Sequence, residues 1–351
     1  MNLLALFISA LCLGSTVLGA PAKIKRANTV SRTTPPSGCI SVGSSGTYST
    51  ISAALTALGS STSSACIFVY SGTYSEQIKI DYAGSLIIYG ETTDSGLYKD
   101  NTVTITHTIS SEEAGSLDLS ATVNIVSANV KLYNLNIVNG YGKGAQAVAL
   151  VANADKLGFY ACQFTGYQDT LYAKSGTQYY SNCLIEGLLP LSSRRNPIPY
   201  HFYILTYIPG AVDYIFGDAS AWFGECDIVS NGSGAITANS REESTDTSWY
   251  VIDSSTIKAA SGVDLDGEVY LGRPWRVLAR VIYQNSALGD LINAAGWTTM
   301  AADATPLYYE FDNTGAGSST TDRLYESSIS AAVTHATVLG SDYNDWIDES
   351  Y

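Results

Sequence analysis

The sequence predicts an all-β fold, a parallel β-helix with one short N-terminal helix, and three observations carry that prediction. The first is composition: of 351 residues only 14% are charged, with 31 Gly, 25 Tyr and abundant Ser and Thr, which suits short strands and frequent turns. The second is a series of short β-rich runs beyond Cys66, punctuated by Gly, Asn and Asp. The third is repetition. Asn134-Leu-Asn-Ile137, Phe159-Tyr-Ala-Cys162, Tyr180-Ser-Asn-Cys183 and Phe223-Gly-Glu-Cys226 read as one phrase, and Cys162 lies 21 residues before Cys183. A repeat of about 20–25 residues built from short strands is the mark of a solenoid.

Taken in order, residues 1–19 read as a signal peptide. Leu3 to Val17 is an apolar stretch too short to span a bilayer, followed by the small residues Gly19 and Ala20. Residues 20–38 read as a propeptide and lead-in, with Lys23-Ile-Lys-Arg26 resembling a dibasic processing site and a mature start near Ala27. The main domain is expected over 39–351. Ile51, Ala54, Leu55 and Leu58 recur at helical spacing, placing the short helix within Tyr48–Leu58. Strands are then expected at Ile67–Tyr70, Ser85–Tyr89, Thr102–Thr106, Val123–Val126, Leu132–Val138 and Ala147–Val151.

Leu188–Gly210 breaks the rhythm. It holds four of the nine prolines and no acidic residue, and it carries Arg194-Arg195 and Tyr200-His-Phe-Tyr203. Removing its 23 residues shortens the gap from Cys183 to Cys226 from 43 to 20. It is a surface insertion loop, which folds tolerate well, a coil of its own that would move Asp213 to roughly 10 Å from Asp169, or a translated intron.

Charge and motifs exclude several classes. A net charge of −14 argues against nucleic acid, which calls for a basic face. His107, His201 and His335 sit in no motif, and there is no G-x-S-x-G elbow, zinc spacing, calcium loop or phosphate-cradling Gly motif. Ester chemistry in this chain would therefore have to rest on carboxylates and amides. The repeat supplies them. Gln146 and Gln168 are 22 residues apart; Asp169 and Asp213 are 44 apart, or 21 without the insertion. One coil per interval brings all four side chains to one face. Carboxylates roughly 5 Å apart on neighbouring rungs cannot both ionise freely, which splits them into a nucleophile and a proton carrier. The amides can donate to a developing oxyanion.

Gly72-Thr-Tyr-Ser-Glu76, Gln146-Ala-Val-Ala-Leu150, Gly166-Tyr-Gln-Asp-Thr-Leu-Tyr172, Val212-Asp-Tyr-Ile-Phe-Gly217 and Leu271-Gly-Arg-Pro-Trp275 resemble, in order, the motifs of the pectinesterase family. Ala235-Ile-Thr-Ala-Asn-Ser-Arg241 is more similar to its fungal branch. The resemblance runs from about Cys39 to the C-terminus and implies a single-stranded right-handed parallel β-helix. It also implies hydrolysis of pectin methyl esters to pectate and methanol, without metal or cofactor. By the same resemblance Asp213 is the nucleophile and Asp169 the proton carrier. Gln146 and Gln168 stabilise the oxyanion, and Arg273 orients Asp213. Trp275 is expected against the sugar ring, with Tyr167, Tyr214 and Trp297 as further groove residues, whereas Tyr74 and Glu76 are expected to be structural.

The chain is thus expected to be a secreted, extracellular monomer acting on pectin, with neither a nucleic-acid nor a membrane partner. Asn231-Gly-Ser233 is the only glycosylation sequon. Cys162, Cys183 and Cys226 are expected to stack in the core. A disulfide is open either between those neighbours or between Cys39 and Cys66. Two other readings remain: a carbohydrate-binding β-helix with impaired catalysis, and another pectin-active β-helix enzyme.

Overall fold

A chain with short strands, few charges and a period near 20 residues can bury its apolar side chains only by winding each period onto the previous one. The computed structural model, which describes residues 30–187 and 212–351, shows that solution. Three parallel sheets of ten, eight and seven strands run along the molecule; the central coils contribute one strand to each, and the coils at the two ends contribute fewer. The signal peptide, the processing site and Leu188–Gly210 lie outside the described residues.

The corner between the ten- and eight-stranded sheets explains the repeated phrase. In seven successive coils it is a two-residue turn whose first member has positive φ: Asn134, Ala161, Asn182, Glu225, Ser254, Asn285 and Asp312. Asn and Asp tolerate the left-handed region better than most L-residues. Ala161, Glu225 and Ser254 accept that conformation because the ladder continues through the corner. Ala161 N–H donates to the Ser181 carbonyl, Glu225 N–H to Asp253 and Ser254 N–H to Gln284. The second turn residue points inward, giving the buried column Leu135, Cys162, Cys183, Cys226, Ser255, Ser286. The three cysteines are buried free thiols. Further along, hydroxyls take over: Ser255 Oγ accepts from Cys226 N–H at 3.0 Å, and Ser286 Oγ from Ser255 N–H at 3.1 Å. The same stacking orders the aromatic core, where Phe159, Tyr180 and Phe223 lie ring over ring with centroids 4.6 Å apart, close to the ~4.8 Å spacing of strands.

The expected strand Leu132–Val138 is two strands, Val130–Tyr133 and Asn136–Asn139, separated by this corner. Helix α1 spans Ile51–Leu58, with Ile51 and Ala54 buried. Thr50 Oγ1 accepts from Ala53 N–H, and the Glu76 carboxylate accepts from the N–H groups of Ile51 and Ser52, both at 2.9 Å. An anion thus satisfies the free donors at the helix start. Tyr74 donates its hydroxyl to the Tyr70 carbonyl at 2.8 Å, so both residues of the first motif serve the fold. Cys39 and Cys66, directly before the paired strand residues Ile40 and Ile67, form a disulfide.

The coils before and after residues 188–211 are bonded directly to one another. Leu184–Gly187 pairs with Asp227–Ser230, and Leu171 pairs with Ile215. Asp213 therefore stands one rung from Asp169.

At the other end of the chain, the residues after Val333 lie along the outside of the ten-stranded sheet. Gln284 Oε1 accepts from Val333 N–H, His335 packs on Trp222 and Tyr179, and Tyr351 packs on Tyr133 and Tyr160.

Candidate active site

Five side chains meet on the outer face of the seven-stranded sheet, and the register explains how. Asp169 lies two residues before Leu171 and Asp213 two before Ile215, and those two leucine and isoleucine positions are paired. The two carboxylates therefore occupy equivalent places on adjacent rungs. Each has positive φ, 61° and 54°, a strained conformation for a non-glycine residue and one that recurs at functional sites. It turns the next residue inward: Tyr214 is fully buried, with its hydroxyl 2.9 Å from Ser230 Oγ.

Arg273 comes from two rungs further along. Its guanidinium grips Asp213 by three hydrogen bonds: Nε to Oδ1 at 2.9 Å, Nε to Oδ2 at 3.2 Å and Nη2 to Oδ2 at 2.7 Å. It must pass over the intervening rung, where Ala238 lines the same pocket and offers only a methyl group. Gln146, one rung before Asp169, donates from Nε2 to Asp169 Oδ2 at 2.5 Å. Gln168, next to Asp169 in the chain, also favours its ionised form.

The electrostatics separate the two acids. Asp169 is 3% exposed, and burial, reinforced by the negative charge of Asp213, pushes its pKa up to about 8 against the opposing pull of the two amides and Arg273. Burial also raises Asp213, but the hydrogen bonds and charge of Arg273 oppose that rise. Burial thus favours the proton on Asp169 and Arg273 favours the negative charge on Asp213, the charge division that acid and nucleophile roles need.

The pocket above them has a volume of about 90 Å³ and is lined by Leu117, Gln146, Asp169, Asp213, Phe216, Ala238, Trp275 and Met300. Trp275 is half-buried there, 5.9 Å from Phe216 and 6.5 Å from Tyr172, which itself stacks on Phe216 at 4.3 Å. Three expected groove residues lie elsewhere. Tyr214 is core, as described. Trp297 is fully buried, stacked on Tyr308 at 4.0 Å and donating Nε1–H to Glu310. Tyr167 is 5% exposed and lines a separate small cavity with Asn139, Gly140 and Gly142. None offers the ring face that sugar stacking needs. Phe216 and Tyr172 were missed, although strand alternation could have found them, since Leu171, Ala173 and Ile215 point inward. Leu117, at the start of the one-turn helix Leu117–Ser120, and Met300, on a loop, reach the pocket from distant parts of the chain and left no local signal.

Fold and site together define a β-helical protein with an open, carboxylate-bearing cleft on its flank. The pectinesterase family model matches residues 39–191 and 198–349. The probable pectinesterase A of Aspergillus niger is 68% identical over 340 residues, covering 97% of this chain and 96% of that protein. A second, from Neosartorya fischeri, is 60% identical over 351 residues and the full length of both. Among solved structures, the deglycosylated pectin methylesterase from Aspergillus niger superposes with a TM-score of 0.84 at 69% identity, covering 92% of this chain and 100% of that one. The pectin methylesterase from carrot superposes at 0.74 with 27% identity, covering 89% and 96%. The chain belongs to the pectinesterase family, a family of carboxylic ester hydrolases, and its fold is the right-handed parallel β-helix.

Proposed function

We propose that this protein hydrolyses the methyl esters of pectin, giving pectate and methanol, through an acyl-enzyme on Asp213. The observation that carries the reading is the paired site: equivalent carboxylates on adjacent rungs, one protonated and buried, the other ionised against Arg273. Asp213 attacks the ester carbonyl carbon, and the carbonyl electron pair moves onto oxygen. Gln146 and Gln168 turn from Asp169 to donate to that oxyanion, as donors of this kind do in acyl transfer. Collapse of the tetrahedral intermediate breaks the bond to methoxide, which leaves as methanol with the proton of Asp169. The Asp169 carboxylate then takes a proton from water as the water adds to the acyl carbon. A second collapse frees the galacturonate carboxyl and regenerates both acids. Trp275 is placed to pack on the sugar ring above this centre. No residue in the sequence demands a metal or cofactor for these steps.

Secretion behind the signal peptide 1–19, glycosylation at Asn231 and action as a monomer complete the proposal. Asn231 is half-buried in a turn between strands, where a glycan can project. Among the described residues no helix is long and apolar enough to cross a membrane. The test is methanol release from highly methylated pectin. The parent chain is expected to release it, and Asp213→Ala to lose at least about 10³-fold in rate while keeping its β-sheet circular dichroism. Substantial turnover by Asp213→Ala would remove the nucleophile assignment.

A further inference from the structure

Arg276 follows Trp275 on the rim of the pocket, and its state differs from that of the other cations around the sheet floor. Arg273 is held by three bonds to Asp213. Lys174 is fixed by both oxygens of Asp118, at 2.7 and 2.9 Å. Arg241 donates to the carbonyls of Ser244, Asp246 and Leu278, and Arg280 to that of Ser248. Arg276 has only a loose contact with Glu242, 3.8 Å between Nε and Oε2, and both side chains are more than half exposed, 52% and 63%. Its guanidinium sits 6.0 Å from the centre of the Trp275 ring. A planar guanidinium beside an aromatic wall, held by a weak and replaceable anion, is a ready receptor for a carboxylate.

A pectin chain presents such carboxylates wherever a neighbouring galacturonate carries no methyl group. We infer that Arg276 recognises a free uronate carboxylate on a residue next to the ester being cleaved, displacing Glu242 as it does so. Arg276 is thus a specificity residue, touching substrate away from the reacting bond. The inference rests on the pectin reading above. It makes the enzyme prefer esters that have unesterified neighbours and makes its own product a ligand.

The experiment measures kcat and KM for Arg276→Gln and Arg276→Lys on two substrates, fully methylated pectin and pectin partly freed of methyl groups. Arg276→Gln is expected to raise KM about three- to fivefold on the partly de-esterified substrate only, the scale of an exposed charge pair. It should leave kcat unchanged, and Arg276→Lys should recover part of the loss. The difference between substrates should shrink at high ionic strength. An equal rise in KM on both substrates would assign Arg276 to packing against Trp275 and overturn the inference, as would no change on either. A parent enzyme that released methanol from neither substrate would sink the pectin reading itself. Binding of unesterified oligogalacturonate, followed by tryptophan fluorescence, then decides Arg276 separately: weaker binding by Arg276→Gln sustains the inference, and equal binding overturns it.

Discussion

Asp169 and Asp213 share a residue type, a backbone conformation and a place in the coil, yet their surroundings set them apart. The buried acid with no cation bonded to it takes the proton, and the acid clasped by Arg273 keeps the charge. A pH dependence of activity follows. Turnover requires Asp169 protonated and Asp213 ionised, so it should fall as pH rises through about 8. It should also fall on the acid side as Asp213 gains a proton above the ordinary carboxylate range. A rate profile that stayed flat across that alkaline limb would separate Asp169 from proton transfer. Stability carries the same signature. The folded state keeps a proton on Asp169 that the unfolded chain, with an ordinary pKa near 3.9, releases. Asp169 therefore lowers stability as pH rises between those two values. Asp169→Asn cannot titrate, so it should melt above the parent at pH 9 and close to it at pH 3.5, while losing nearly all methanol release. Gln146→Ala should slow methanol release by about 10²-fold, the usual cost of one oxyanion donor.

Elements bring these residues together through register. The rung of Ile215–Gly217 carries Phe216, the next rung carries Ala238 at the paired position, and Arg273 reaches across that methyl group to Asp213. A longer side chain there would fill the path. Ala238→Leu is expected to keep the fold but displace the guanidinium and cost about 10²-fold in kcat, a typical effect of misplacing a catalytic group by about 1 Å. Unchanged kcat would show that the arginine has another route. This level also shows what was legible in the sequence. The corner phrase was visible because a left-handed residue followed by an inward one, Leu135 and then Cys or Ser, recurs in successive coils. The acids and amides were visible because each sits at a fixed offset from an inward apolar residue. The aromatic subsites were not: Tyr167 and Tyr214 belong to motifs, but a motif records neighbours along the chain, not the direction of a ring. Trp297 was turned inward by Tyr308 and Glu310, contacts that no local pattern announces.

At the scale of the molecule, the insertion Leu188–Gly210 has a simple test. Without Leu188–Gly210 the chain reads Gly187-Ala211-Val212-Asp213-Tyr214-Ile215, the same step as Gly166-Tyr167-Gln168-Asp169-Thr170-Leu171, between strands that are already paired. The deletion variant is expected to fold and to release methanol at least as fast as the parent. A variant that folds but is inactive would give the segment a role in the site.

The C-terminal segment has a consequence of another kind. A solenoid is held by contacts between neighbouring coils, so by itself it can fray from either end. Here the residues from Val333 to Tyr351 cross the coils of Gln284, Trp222, Tyr179, Tyr160 and Tyr133. Arg32, packed on Tyr89 and Tyr133, closes the line by donating to the Tyr351 hydroxyl at 2.8 Å. These residues follow every coil of the described stack in the chain. The stack can begin to wind during synthesis, but it gains its lengthwise fastening only once residues 333–351, which come after all the coils, have been made. Until that moment a nascent chain, however complete its cleft, is a spring without its clasp.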